Sequence, residues 1–282
     1  MPRPPSPRRR ASLPPLDPQR FAPSIERPLR GKVRQMAHQM DIQPHRHDWA
    51  QLVFSINGAV RVSTQGDGAG STYLVPPSRA VWIPPGVVHA VTAVERANLR
   101  TLYLHESAVV QLGADGAWGH CRVLEVSPLM RELVLQLVVD PDAVPGLPAD
   151  VARERTICAL ILDEMRRARS LQLGLPLPRE GRLRRLCEAM LDQPLRHADI
   201  EGWAAHAATS ARTLSRWFRE ELGTSYGQWR QQLLLAQALL MAARKQPMRL
   251  IAAELGYASP SAFSAMVTRA VGVPPSRFFA EA

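Results

Sequence analysis

Residues 203–223 read WAAHAATSARTLSRWFREELG, and residues 251–272 read IAAELGYASPSAFSAMVTRAVG. Set Leu214 against Phe263, and Phe218 falls on Val267, Ser210 on Ser259 and Gly223 on Gly272. Each stretch holds an alanine-rich helix, a short turn, a second helix opened by a serine that can cap it, and a glycine stop. A helix-turn-helix written twice, about 49 residues apart, is the pattern of a tandem reader of double-stranded DNA.

The two copies differ in what they show outward. In the first, Ala211, Leu214, Trp217 and Phe218 repeat at three and four and form the buried face. Arg212, Ser215, Arg216 and Arg219 are then left open, with Ser210 as N-cap and Thr213 at the edge. Arginine can grip guanine with two hydrogen bonds in the major groove, so Arg212 and Arg216 are expected on bases and Arg219 on phosphate. In the second, Phe263, Met266 and Val267 face inward. The open side offers Ser259, Ser261, Ser264, Ala265 and Thr268, with Arg269 a turn further on. The expectation is an unequal pair in which the first helix carries most of the sequence specificity.

Working outward, 282 residues with 46% hydrophobic and 21% charged side chains suit two globular domains. The net charge of +10 is concentrated at the two ends. Residues 1–30 carry seven arginines against two acids, and residues 179–282 fourteen bases against nine acids, while the middle is balanced. Basic excess in the reader suits a phosphate backbone. Residues 1–30 also hold nine prolines and read as a disordered tail, in which Arg8, Arg9 and Arg10 could touch phosphate. The proline-rich start lacks the apolar core of a signal peptide, and no run is long enough to span a membrane. Cys121, Cys158 and Cys187 are widely spaced and read as reduced buried thiols, so a cytoplasmic protein is expected.

From residue 31 to about 120 the chain turns to short apolar segments separated by NG, GDGAG, PPSR and PPG, which predicts a small β-barrel or sandwich. Within it His45 and His47 are followed by Gln51 and Gly58, and downstream comes PPGVVH ending at His89. These residues resemble the two motifs of the cupin superfamily, HxH(x)3-4E(x)6G and PxGxxH, with Gln51 where Glu is usual and Ala93 where Asn is usual. His45, His47 and Gln51 share odd parity, so on a strand they would project from one face, where His89 can meet them. Three imidazoles and an amide oxygen suit one divalent transition metal, Ni, Fe or Zn. The same residues could instead hydrogen-bond a small organic effector, or one another. Trp49 and Trp82 flank the motifs and are candidates for pocket walls or core.

Residues 121–178 change to helical period. Ile157, Leu160, Ile161 and Met165 make an apolar stripe that could be a homodimer face or could pack on the barrel. LQLGLPLPREGRL, residues 171–183, reads as an exposed linker. Residues 179–282 form the DNA-binding domain, with Asp199 placed to cap its second helix.

The segments RTLSRWFREELG, WRQQLLLAQAL and IAAELGYASPSAFSAMVTRAVGVPPSRF resemble the C-terminal domain of the AraC/XylS transcription regulators. That resemblance implies a sequence-specific regulator whose cupin-type N-terminal domain senses a metal ion or small molecule. The implied partners are promoter DNA, an effector, a second copy of the chain, and RNA polymerase. Against the family pattern, Ala208 stands where glycine is common, Val267 where Phe is usual, and Leu234 and Leu235 where arginine is frequent. The competing reading is a cupin metalloenzyme, a dioxygenase or isomerase, with a fused DNA-binding module.

Overall fold

Alternation of period two builds the first half of the chain, and period 3.6 the second. The computed structural model describes residues 12–15, 17–65, 70–113, 116–137, 148–171, 173–178 and 181–279. Its strands begin with β1 (Ser12–Leu13), β2 (Leu29–Met36), β3 (Asp41–His45), β4 (Ala50–Ser55), β5 (Val60–Gln65) and β6 (Gly70–Val75). They continue with β7 (Arg79–Ile83), β8 (Val88–Ala93) and β9 (Ala97–Leu104). Helix α1 (Glu106–Leu112), β10 (Arg122–Glu125), α2 (Pro128–Gln136) and α3 (Pro148–Arg167) come next, then the short strands β11 (Ser170–Leu171) and β12 (Leu175–Leu177). The rest is helical: α4 (Arg182–Asp192), α5 (Ile200–His206), α6 (Ala211–Leu222), α7 (Tyr226–Ala243), α8 (Met248–Glu254), α9 (Pro260–Val271) and α10 (Pro275–Phe278).

Two six-stranded sheets, in the orders β1-β3-β8-β5-β6-β12 and β11-β10-β7-β4-β9-β2, form the flattened barrel expected of a cupin-like domain. Strand β7 shows how the residues sort. Val81 and Ile83 belong to the cluster that also holds Val53, Val60, Val62 and Val91. Ala80 and Trp82, on the other face, join Leu52, Phe54 and Leu102 beneath the helices. In the β4–β5 turn, Gly58 has φ +67°, and a Cβ there would collide with the Arg96 carbonyl oxygen, so glycine is required.

The barrel reaches further in both directions than residues 31–120. Residues 1–11, with Arg8, Arg9 and Arg10, lie outside the described residues. Within 12–30 the expectation of a disordered tail is overturned. Ser12–Leu13 pairs in parallel with Asp41–Ile42, Phe21 is buried, and Arg27 ion-pairs with Glu154 at 3.0 Å. These residues bury apolar surface after all, because the barrel supplies the partner their composition lacks. The exposed linker is overturned too. Leu171, Leu173, Leu175 and Leu177 are all buried, β11 pairs with β10, and β12 pairs with β6. Pro176 is tolerated because β12 is an edge strand.

In the apolar stripe of α3, Ile157, Ile161 and Met165 are buried beneath the barrel's outer sheet, whereas Leu160 is 42% exposed. Packing on the barrel therefore accounts for three of the four residues. Trp82 is core, its indole N–H donating to Trp118 O at 2.9 Å. Cys158 and Cys187 are buried and all three thiols are free.

In the second half, each half-repeat carries the expected ends. Ser210 Oγ caps α6 by accepting from Thr213 N, and Ser259 Oγ caps α9 by accepting from Ala262 N, both at 3.1 Å. Gly223 and Gly272 end the two helices with φ +65° and +74°. Asp199 caps α5, accepting from Gly202 N at 2.9 Å. Between the helices the two turns differ. Ala208, two residues before its cap, has φ +50°, whereas in the second turn the left-handed residue is Gly256, three before its cap. The second turn is thus one residue longer.

Leu234 and Leu235 are buried, with Leu239, Phe263 and Phe278, in the same cluster as Val75, Val81 and Leu171 of the barrel. Polar ties cross the same boundary. Arg79, 1% exposed, donates to Phe278 O at 3.0 Å and pairs with Glu125 at 3.5 Å. Arg169 donates to Val271 O at 3.1 Å, Trp229 donates its indole N–H to Pro176 O at 2.8 Å, and Arg61 pairs with Asp192 at 3.1 Å.

Candidate functional site

Two sites emerge, one in the barrel and one on the helices. In the barrel, His45, His47 and His89 converge, with one ligand nitrogen from each lying within 4.8 Å of the others. They arrive by a route different from the single strand expected. His45 closes β3 and is paired with His89 on β8. His47 lies in the connection, and Gln51 sits on β4 in the opposite sheet. The chain crosses between sheets there, so shared parity on one strand is not what unites them. The turn at Gly86, with φ +75°, donates its N–H to His47 O at 2.8 Å and so ties the second motif to the first.

Each imidazole is fixed in one tautomer by a carbonyl oxygen, which can only accept. The Nδ1–H of His45 donates to Gln43 O at 2.8 Å, that of His47 to Trp49 O at 2.7 Å, and that of His89 to Val87 O at 2.9 Å. Every Nε2 is then an acceptor, the form in which histidine ligates metal. His89 Nε2 is buried with no hydrogen-bond partner. Gln51 Oε1 lies 2.7 Å from His47 Nε2. Two acceptors at that distance need the carboxamide turned to present its N–H, or a cation between them. Burial lowers the proton affinity of all three imidazoles, that of His89 to about 3, so they are neutral at pH 7. The donor set fits a divalent transition metal.

Sequence reading missed two neighbours. Lys32 on β2 is 8% exposed and donates to the hydroxyl of Tyr103 on β9, with Nζ 4.6 Å from the ring centroid. Burial holds its pKa down to about 8, which leaves it mostly charged at pH 7. The Tyr103 ring also meets His47 at 5.0 Å and Trp49 at 5.6 Å. Trp49 stacks on His47 at 5.1 Å, and its indole N–H is buried without a partner. A lysine in a strand reads as solvated, and only the pairing of β2 with β9, far apart in sequence, reveals its aromatic partner.

On the helical half, Leu214 and Phe218 are fully buried, while Arg212, Arg216 and Arg219 are exposed along α6. Arg216 approaches Glu220 at 3.8 Å, a loose pair that phosphate or a base could displace. Ser210 is exposed, with Thr213 and Ser215 partly so. On α9, Ser259, Ser261, Ala265, Thr268 and Arg269 are exposed and Ser264 partly so. Val267 is fully buried, in a cluster closed by Phe278 and Phe279, the latter stacked on Phe263 at 6.2 Å. Between the units, α7 has 18 residues and so spans about 27 Å at 1.5 Å per residue. That is of the order of the ~34 Å between successive major grooves on one DNA face.

Residues 32–187 match the AraC-like ligand binding domain and residues 203–281 a helix-turn-helix domain. The chain is 32% identical over 236 residues to the HTH-type transcriptional regulator NimR of Escherichia coli, covering 84% of this chain and 81% of that protein. It is 30% identical over 116 residues to the arabinose operon regulatory protein of Salmonella typhimurium, covering 40% and 41% respectively. Among solved structures, ToxT from Vibrio cholerae aligns over 90% of this chain and 98% of its own at 11% identity and a TM-score of 0.35. Among the described residues, no helix is long and apolar enough to cross a membrane. With residues 32–187 matching the AraC-like ligand binding domain, residues 203–281 a helix-turn-helix domain, and a regulator 32% identical over most of both chains, the chain belongs to the AraC family of transcription regulators.

Proposed function

We propose that this regulator acts in the cytoplasm as a homodimer and that His45, His47 and His89, with Gln51, hold a divalent transition metal as all or part of its effector. One observation carries the metal reading: three imidazoles converge with each Nδ1–H already committed to a carbonyl, so that the Nε2 atoms remain as acceptors, and Nε2 of His89 is buried without a partner. Ni, Fe and Zn all suit imidazole donors, and the neutral Gln51 lowers affinity relative to a carboxylate. In this reading Arg212 and Arg216 contact bases, and Arg219 and Arg269 contact phosphate. Contact with RNA polymerase falls to surfaces outside α6 and α9. The dimer uses the outward side of α3 around Leu160, since its inward stripe is already spent on the barrel.

Metal analysis of the purified chain, beside a His45→Ala/His47→Ala control, tests the site. Stoichiometric metal lost in the control is the expected result. An empty site combined with effector-dependent DNA binding would favour the second reading, a metal-free organic effector held by Lys32, Tyr103 and Trp49. The relatives are regulators, and the absence of turnover by the Fe(II)-loaded chain is the corresponding expectation against a cupin enzyme.

A further inference from the structure

We propose that the histidine site takes its metal together with an anionic co-ligand seated against Lys32, so that the effector is a small chelating carboxylate bound through the metal rather than the bare cation. This deepens the metal reading above and rests on it.

The charges around the site are one-sided. The three imidazoles are neutral, and Gln51 puts a carboxamide where the cupin pattern has a carboxylate. A divalent ion therefore enters with its charge uncompensated. Lys32 adds a further positive charge, and its ammonium and the His47 ring lie within 5.0 Å of the same Tyr103 ring centroid. Asp48, next to His47 in the chain, is exposed to solvent. Buried charges that lack a counter-ion are costly, and the side chains of this site do not supply one.

The unpaired groups tell the same story from two sides. His89 Nε2 is a buried acceptor without a partner, which asks for a cation. The Trp49 indole N–H is a buried donor without a partner, stacked against His47, which asks for an anion's oxygen. A metal alone satisfies the first and an anion alone the second. Three nitrogen donors leave positions on a first-row metal for oxygen, so a carboxylate with an adjacent oxygen donor can satisfy both while neutralising the pocket. Linkage then requires metal and anion to tighten each other by the same factor.

The test is Ni(II) binding to the full chain by equilibrium dialysis at matched free Ni(II), with and without oxalate. Oxalate should tighten Ni(II) at least tenfold. Lys32→Met should bind Ni(II) alone more tightly than the parent, because a like charge is gone, and should lose the oxalate effect. Gln51→Glu should bind Ni(II) tightly without oxalate. A merely structural Lys32 would instead weaken Ni(II) under both conditions. Equal Ni(II) affinity with and without oxalate in the parent chain overturns the proposal without any variant, as does oxalate binding equally well in the absence of metal. Failure of every form to bind Ni(II), Gln51→Glu included, removes the metal reading and this inference together.

Discussion

The two helix-turn-helix units have the same frame and lean on different neighbours. The first buries Leu214, Phe218 and Trp229 with Leu183, Leu186, Cys187 and Met190 of α4, and turns three arginines outward. The second buries Phe263, Val267 and Phe278 in one cluster with the barrel's Val75, Val81 and Leu171, and turns outward serines, alanines and a threonine ahead of a single arginine. Serine caps and glycine stops were kept in both because backbone geometry demands them. The exposed positions were free to diverge. The difference teaches that the unit best equipped to read bases meets the sensor through a small contact, Ala59, Leu74, Leu175 and Leu177 with the Trp229–Pro176 bond, whereas the second unit shares the barrel's main core and is tied to Arg79 and Arg169.

The largest effect should come from the shared interior. Phe278 is fully buried, and Phe278→Ala is expected to cost about 3–5 kcal/mol in chemical denaturation. A cost below about 1 kcal/mol would mean that the second unit does not depend on the barrel. Next come Arg212→Ala and Arg216→Ala, each expected to remove about 1–3 kcal/mol of discrimination between operator and scrambled DNA. Arg269→Ala should weaken both DNAs alike and reduce the salt slope by about 1. If Arg269 discriminates and Arg216 does not, the comparison is reversed. The turns offer a smaller and more local contrast. Gly256→Ala places a Cβ at φ +80° and should destabilise by about 1 kcal/mol. Ala208→Gly relieves φ +50° and should be neutral to stabilising by about 0.5 kcal/mol, since a more flexible unfolded chain offsets the gain. Ser264→Ala should change DNA affinity by less than about 0.5 kcal/mol.

How much of this was legible beforehand depended on the range of the signal. Caps, stops and the three-four spacing act within a single helix turn, so Ser210, Gly223 and their counterparts could be placed from the chain alone. The histidines could be named because both motifs are local, but their convergence through a sheet crossing could not be. The leucines at 171, 173, 175 and 177 alternate as a strand should, and their glycine and prolines hid that alternation. Only a partner edge, β6 at the far side of the sheet, makes a strand of LPL. Lys32 was invisible for the same reason: its partner Tyr103 is 71 residues away. The stripe on α3 was correctly seen as apolar, but a stripe does not state which surface it will cover.

The interior shared by barrel and reader has a practical meaning for anyone who wants to study the reader by itself. A fragment beginning after residue 178 would carry Leu234, Leu235, Leu239 and Phe278 into water, stripped of Val75, Val81 and Leu171. An apolar patch of that kind invites self-association and sticks to surfaces, so a weak or heterogeneous gel shift from such a fragment would report exposed leucine rather than poor recognition. Dissection of this molecule is therefore better done by single substitutions in the whole chain than by scissors.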